Sequence, residues 1–164
     1  MAHLDDTDLK ILAVLQRNGR ITNAALAERV NLSQSPCLQR TKRLEDAGVI
    51  RSYGAEIDLN LLGNSLTVFT EVTLQDHQKD NFRVFEAGIA KHGEVLECHL
   101  VSGGHDYLLK FLCRDILDYQ ETIERILADD IGIEKYFSYI VIKSPIAGRR
   151  PDLRHFTAGR SGTS

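Results

Sequence analysis

The segment Ile21–Arg51 constrains the fold of this chain more than any other stretch. It predicts two short amphipathic helices joined by a tight turn at Asn31-Leu32, which together make a helix-turn-helix. Thr22 supplies the N-cap of the first helix and Ser33 that of the second. Pro36 falls in the first turn of the second helix, where its missing N–H leaves no helical hydrogen bond unmade. Such a pair can place the start of its second helix in the major groove of DNA.

The predicted second helix has two chemically different faces, and Gly48 ends it as a left-handed cap. One face is formed at helical spacing by Cys37, Thr41 and Leu44. The outer face is polar and carries Ser35, Gln39, Arg40 and Arg43. Generic helical pairs that bind nothing share this pattern. However, the segment has a basic balance, and Gln, Ser and Arg donate to base edges and phosphates, which favours DNA binding.

The charge is distributed unevenly along the chain, whose net charge of −3 excludes a uniformly basic coat. Residues 1–60 hold eight acids and eight bases, and residues 61–148 hold fourteen acids and eight bases. Residues 149–164 hold four arginines and one aspartate. We therefore expect DNA contacts in the N-terminal part or the tail, and none in the acidic middle.

Several features indicate a cytoplasmic protein. There is no run of about 18 apolar residues that could span a membrane, and no secretory signal at the N-terminus. The three cysteines, Cys37, Cys98 and Cys113, are an odd number in apolar surroundings. We expect reduced, buried thiols.

The order of predicted elements defines an α+β fold. Residues 5–47 hold three helices, and Val49–Ile57 alternates loosely as a short strand or wing. The second half predicts a β-α-β-β-α-β order, which is that of a ferredoxin-like domain. Its elements are a strand at 66–74, a helix at 78–92, strands at 94–101 and 106–113, a helix at 115–128 and a strand at 133–143. The predicted parts are a DNA-binding domain at 1–52, a strand and linker at 53–64, the βαββαβ domain at 65–146, and a flexible tail at 147–164.

Four motifs at their present spacing resemble the Lrp/AsnC family of transcription regulators. They lie in Leu4–Leu12 (LDxxDxxIL), Ala27–Ser33 (AxxVNLS), Cys37–Ile50 (CLxRxKRLExxGVI) and Val95–Lys110 (VLECHLVSGxxDYLLK). The resemblance covers residues 4–146 and implies a winged helix-turn-helix followed by a RAM- or ACT-like domain. It does not extend to the Arg-rich segment after Arg149.

The resemblance implies a set of DNA-binding residues on and around the second helix of the motif. Base contacts come from the start of that helix, where Arg pairs with guanine and Gln with adenine. Lys42 and Arg51 are expected to meet phosphates. One such domain makes few contacts, so we expect a dimer that reads two half-sites. The implied residues are Thr22, Ser33, Gln34, Ser35, Pro36, Gln39, Arg40, Lys42, Arg43 and Arg51.

The resemblance also implies an effector, usually an amino acid, bound between the βαββαβ domains of neighbouring subunits. Backbone N–H groups at Gly103-Gly104 can approach a carboxylate closely because glycine has no Cβ. Asp106 is expected to take the ammonium group, although an aspartate at a turn often bonds its own backbone. The full implied set is Leu100, Ser102, Gly103, Gly104, Asp106, Ile116, Tyr139, Ile140 and Val141. We expect a homodimer that assembles further to a tetramer or octamer.

Parts of the sequence suggest two other classes of function. Cys98, His99, His105 and Asp106 resemble a catalytic or metal cluster, but adjacent strand residues point to opposite faces, and no zinc-type spacing or phosphate loop is present. We therefore expect neither an enzyme nor a cofactor. An architectural protein that wraps DNA with little sequence preference is the other alternative. The polar side chains of Ser35, Gln39 and Arg40 favour a sequence-specific regulator, and we expect it in the cytoplasm in association with the nucleoid.

Overall fold

The computed structural model describes residues 4–156, apart from the side chain of Asn60. The chain forms two compact units. Among the described residues, the helical unit joins residues 4–56 with residues 146–156, and the sheet unit comprises Ile57–Pro145. None of the helices in the described residues is long and apolar enough to cross a membrane.

The helical unit contains three α-helices that enclose a small apolar core. They are α1 (Asp6–Arg17), α2 (Asn23–Arg29) and α3 (Gln34–Asp46). All three predicted helices are thereby confirmed. Each helix contributes its apolar stripe to one cluster, because no single helix of this length can bury that stripe alone. The buried members are Ile11, Leu26, Ala27, Val30, Cys37 and Leu44.

The helix ends follow the local sequence signals closely. The hydroxyl of Thr22 accepts a hydrogen bond from the N–H of Ala25 at 3.3 Å and caps α2. Ser33 occupies the N-cap position of α3, but its side chain makes no capping hydrogen bond. The turn residue Asn31 has φ of 55° and Gly48 has φ of 68°. Both are left-handed positions that Asn and Gly tolerate well.

The strand predicted over Val49–Ile57 is wrong, because the described chain forms no strand there. An extended segment continues to a 3₁₀-helix at Leu59–Leu61. The hydroxyl of Tyr53 donates to Glu45 at 2.8 Å, and a Cβ at Gly19 would lie 3.1 Å from the Tyr53 ring. Side-chain contacts therefore attach this segment to the helical unit. Among the described residues, it has no partner strand with which to pair.

The sheet unit has the predicted β-α-β-β-α-β order. Its antiparallel sheet has the strand order β2-β3-β1-β4, so the ferredoxin-like fold is confirmed. The strands are β1 (Leu66–Leu74), β2 (Val95–Leu100), β3 (Tyr107–Cys113) and β4 (Ile133–Ile140), and the helices are α4 (Lys79–Ile89) and α5 (Ile116–Ala128).

The two faces of the sheet differ. Alternate residues of β1 and β3 are buried with α4 and α5 in the core of the sheet unit, among them Val68, Val72 and Phe111. The residues between them lie on the other face, which we call the open face. Its apolar members include Phe69, Leu108, Leu112, Phe137 and Tyr139, of which Phe137 and Tyr139 are exposed.

The expectation that all three thiols are buried is wrong for Cys98. Cys37 and Cys113 are buried, whereas Cys98 is exposed. It lies on edge strand β2, whose residues from Leu96 to Leu100 are all exposed. Its neighbour in the register is the buried Leu109, so Cys98 shares the face of the core although its own side chain is exposed.

The predicted tail contains one short element of secondary structure in its described part. Leu153–Phe156 forms a 3₁₀-helix that contacts α1 in the helical unit. Arg150 lies 3.8 Å from the carboxylate of Glu56. The flexible tail at 147–164 stays a prediction, with this one turn at Leu153–Phe156 in its described part. Residues 157–164 lie outside the described residues.

Candidate functional sites

The outer surface of α3 carries a row of exposed polar side chains. Ser35, Gln39 and Lys42 follow one another at spacings of four and three residues, which places them on one helical face. Within the described residues, none of these three side chains has a hydrogen-bond or ion-pair partner. We call this set the α3 row. Its donors and acceptors are available to a ligand of the helix.

Arg40 and Arg43 occupy a different position from the one that the sequence predicted. Nη1 of Arg40 lies 2.6 Å from Oδ2 of Asp5 and 2.9 Å from Oδ1 of Asp8. Nη2 of Arg43 lies 2.5 Å from Oδ2 of Asp8. The two arginines therefore lie on the flank of α3 that faces α1, and not on a free outer face. We call these four residues the α1–α3 clamp.

The clamp is centred on a buried charge. The side chain of Asp8 is fully buried, while those of Arg40 and Arg43 are 32% and 55% exposed. The backbone N–H of Asp8 and the guanidinium of Arg40 lower the pKa of Asp5, and both aspartates raise the pKa of Arg40. Two acids balance two arginines, so the clamp adds no net positive charge to this surface. Arg40→Ala would also remove contacts between helices and would not be a clean test of DNA binding.

Other cations around the motif are free of such partners. Arg20, Arg29 and Arg51 are exposed and, like Lys42, form no ion pair with any described residue. They offer the helical unit sites for contact with a polyanion.

One positioning contact had no signal in the sequence. Nδ2 of Asn23, at the start of α2, donates to the backbone carbonyl of Gln34 at 2.9 Å. This bond connects the first residue of α2 to the first turn of α3. It depends on the angle between two helices, which periodicity does not reveal.

The predicted effector residues around the β2–β3 turn lie together. Gly103 has φ of 151°, a conformation that residues with side chains rarely adopt. The N–H groups of Gly103 and Gly104 have no hydrogen-bond partner among the described residues. Asp106 is already engaged: Oδ2 accepts from the N–H of Leu74 at 2.8 Å, and Oδ1 lies 2.9 Å from Nε2 of His77. Its carboxylate therefore holds the end of β1.

The remaining predicted effector residues lie at the other end of the sheet. Tyr139 and Ile140 pair with Phe69 and Val68 near the start of β1, and the N–H of Val141 donates to the carbonyl of Thr67. Ile116 begins α5 at that same end, directly after β3. Val68 and Leu74 are separated by about 20 Å along the strand. One chain therefore does not bring all the predicted effector residues into a single pocket.

The side chains of Cys98, His99, His105 and Asp106 do not come together as a metal site. Cys98 pairs with Leu109 and His99 with Leu108, so the two side chains lie on opposite faces. His99 contacts Glu97 at 3.1 Å, and His105 lies 3.7 Å from Glu71. Within the part of the chain that the structure describes, no group of His, Cys, Asp or Glu could hold a metal ion.

Both units match family models. Residues 4–51 match a winged helix-turn-helix DNA-binding model, and residues 67–151 match the Lrp/AsnC ligand binding domain. With the helix-turn-helix and the βαββαβ fold described above, these matches define the class. The molecule is a DNA-binding transcription regulator with a ligand-binding domain, and not an enzyme.

Individual relatives narrow the assignment. The chain is 48% identical to the transcriptional regulatory protein DoeX of Halomonas elongata over 86% of this chain and 89% of the relative. It is 44% identical to the leucine-responsive regulatory protein of Haemophilus influenzae over 85% and 84%. A transcriptional regulator of Neisseria meningitidis, solved in complex with L-Met, aligns with a TM-score of 0.86, 39% identity, and coverage of 94% and 99%. The chain belongs to the Lrp/AsnC family, as its motifs predicted.

Proposed function

We propose that this regulator reads a specific DNA sequence through the α3 row of a dimer, and that an amino acid bound between sheet units of neighbouring copies changes its operator affinity. The proposal that α3 reads DNA rests on which of its side chains are free. The α3 row is exposed and without intramolecular partners, whereas the nearest arginines are engaged by α1.

Each member of the α3 row has a role that its chemistry suits. Gln39 can pair bidentately with adenine, and Ser35 can donate to or accept from a base edge. Lys42 and the free cations Arg20, Arg29 and Arg51 would neutralise phosphates. Nη2 of Arg43 is bonded to Asp8, so Arg43 is not counted among the free cations. The other implied residues, Thr22, Ser33, Gln34 and Pro36, border this surface at the starts of α2 and α3.

A dimer is proposed because one helical unit offers few base contacts, and specific operators are usually read as paired half-sites. The apolar side chains of the open face support a partner sheet there. An exposed pair of aromatic residues, Phe137 and Tyr139, on an uncovered sheet face is typical of an association surface. Higher even assemblies are part of the same proposal.

The effector proposal follows from the split of the predicted residues between the two ends of the sheet. A pocket that combines Gly103-Gly104 with Tyr139 and Ile140 needs a second copy to supply one of the two ends. The unpaired N–H groups at the turn suit a carboxylate. Asp106 uses two of about four acceptor positions, which leaves room for an ammonium group. The complex of the Neisseria meningitidis regulator with L-Met supports an amino acid as ligand.

The DNA part is tested by selecting bound fragments from genomic DNA and measuring their affinity by fluorescence anisotropy. We expect a few enriched sites that share a sequence with two-fold symmetry. Flat occupancy across fragments would support the packaging alternative and contradict the proposal.

The effector part is tested by a thermal-shift panel of amino acids, beginning with methionine and leucine. A ligand at about 100 times its Kd should stabilise the protein by about 3 kcal/mol and change operator affinity by about 1–3 kcal/mol. Asp106→Asn keeps an acceptor for Leu74 and should remove the shift, while Asp80→Asn, at an exposed position on α4, should retain it. No shift with any amino acid, in protein that binds its operator, would contradict this part.

A further inference from the structure

The α1–α3 clamp withholds two cations from the helix that faces DNA. We propose that Asp5 and Asp8 are specificity-determining residues: by holding Arg40 and Arg43, they keep affinity for arbitrary DNA low, so that binding depends on the base-reading α3 row. This inference rests on the proposed DNA-binding role of α3.

The clamp is built more firmly than a surface ion pair. Asp8 is fully buried and accepts three hydrogen bonds, from Arg40, from Arg43 and from the N–H of Asp5 at 3.1 Å. Charge-assisted bonds of this length are roughly twice as strong as neutral ones. The N–H of Asp8 donates in return to Asp5 at 2.8 Å, completing a capping box. An incoming phosphate therefore has to compete with a preformed, partly dry set of acceptors.

The released arginines would be close enough to matter. Arg43 directly follows Lys42 and lies one turn beyond Gln39, so it borders the α3 row. Contacts to phosphates carry no sequence information, whereas contacts to base edges do. Each further phosphate neutralised would steepen the salt dependence of DNA binding by about 0.9 in a plot of log K against log salt. Freed arginines would thus raise affinity for all sequences and narrow the difference between operator and random DNA.

A role limited to joining two helices predicts the opposite outcome. If the clamp only supported the fold, breaking it would weaken binding to every duplex. If it restrains Arg40 and Arg43, breaking it would strengthen binding to random DNA. The sign of the change separates the two roles.

The experiment uses the full chain and the variants Asp5→Asn and Asp8→Asn. Asn is as good an N-cap as Asp, so Asp5→Asn keeps the cap of α1 while removing the charge. The matched control is Asp6→Asn, which removes the same charge from the same turn at an exposed residue that makes no ion pair with Arg40 or Arg43. Binding to a random duplex and to the selected operator is measured by anisotropy over a series of salt concentrations.

We expect both clamp variants to bind random DNA about threefold to tenfold more tightly at low salt, with a salt slope steeper by about 0.9 for each arginine charge that the lost carboxylate leaves unbalanced. The ratio of operator to random affinity should fall. Asp6→Asn should leave the slope and the ratio near those of the unmodified protein.

The inference would be overturned if a folded Asp5→Asn variant bound random DNA with unchanged or lower affinity. It would also be overturned if Asp6→Asn raised the affinity for random DNA equally, because net charge alone would then explain the effect. Circular dichroism checks folding, and if Asp8→Asn does not fold, Asp5→Asn decides the result. The variant Gln39→Ala distinguishes a failure of this inference from a failure of the proposed function. If it weakens operator binding while the clamp variants behave like the unmodified protein, this inference fails and the proposed function stands. If it also has no effect, the proposed DNA face fails.

Discussion

Helix α3 collects its free polar groups within 13 residues of one chain, whereas the predicted effector residues extend from Leu100 to Val141 and lie at both ends of the sheet. All side chains of the α3 row lie on one helix of a single copy. The predicted effector residues are divided between the two ends of the sheet, and their one acidic member, Asp106, is bonded to the backbone of β1 and to His77. Helical periodicity alone brings the residues of one helix face together, whereas residues from distant strands meet only through the fold or through the association of copies.

The largest effect expected from this difference concerns assembly. Phe137→Asp places a charge on the open face, and a two-fold interface would receive it twice. Burial of a Phe side chain contributes about 1.5–3 kcal/mol, so we expect dimer affinity to fall at least about 100-fold. Amino-acid stabilisation should disappear with it. Mass measurement in solution and the thermal shift check this.

The control for that change is Val84→Asp, which places the same charge at an exposed position on α4. It should retain both the assembly and the thermal shift. If Phe137→Asp keeps its oligomeric mass, the open face is not the association surface and the effector pocket lies elsewhere.

The next effect concerns base recognition in the site that one chain completes. Gln39→Ala removes a bidentate donor and acceptor worth about 1–3 kcal/mol of discrimination, which is about fivefold to 150-fold in operator affinity. Random DNA should bind almost as before, because no phosphate contact is lost. Anisotropy on both duplexes measures the ratio. Equal losses on operator and random DNA would show that Gln39 is not a base reader.

A smaller effect is expected for the cation in the same row. Lys42→Ala should weaken binding to all sequences by a few fold and reduce the salt slope by about 0.9 for each copy that contacts DNA. The ratio of operator to random affinity should stay the same. Lys135→Ala, on β4 of the sheet unit, is the matched loss of a lysine and should leave the slope unchanged. A change in the ratio for Lys42→Ala would assign this lysine to a base instead.

The smallest effect concerns the pH dependence of the clamp. Hydrogen bonds from the N–H of Asp8 and from Arg40 lower the pKa of Asp5 below 3.8 in the folded chain. The contribution of Asp5 to stability is therefore complete above pH 3.8 and is lost as the pH falls through its lowered folded value. Asp5→Asn should show a smaller loss of helical signal than the unmodified protein over that acid range, measured by circular dichroism. An identical acid transition in both proteins would show that the carboxylate does not contribute.

Local patterns predicted most of the elements. The strand predicted at 66–74 corresponds to β1 at both ends, and the cap at Thr22 lies where its side chain predicted it. These features depend on contacts between residues a few positions apart, which a sequence shows directly. The wrong strand at Val49–Ile57 had a similar but weaker pattern. It forms no strand because the described chain offers it no partner strand. Instead, Tyr53 contacts Glu45.

The sequence by itself determined the two-unit architecture, the helix-turn-helix and the polar composition of α3, because each is written in periodicity and capping over short spans. Only the tertiary structure decided that Arg40 and Arg43 face Asp8, which lies more than thirty positions away in the chain. It also decided that the implied effector residues separate by about 20 Å along the sheet. Strand register and helix crossing place such distant side chains, and neither is visible in the order of residues.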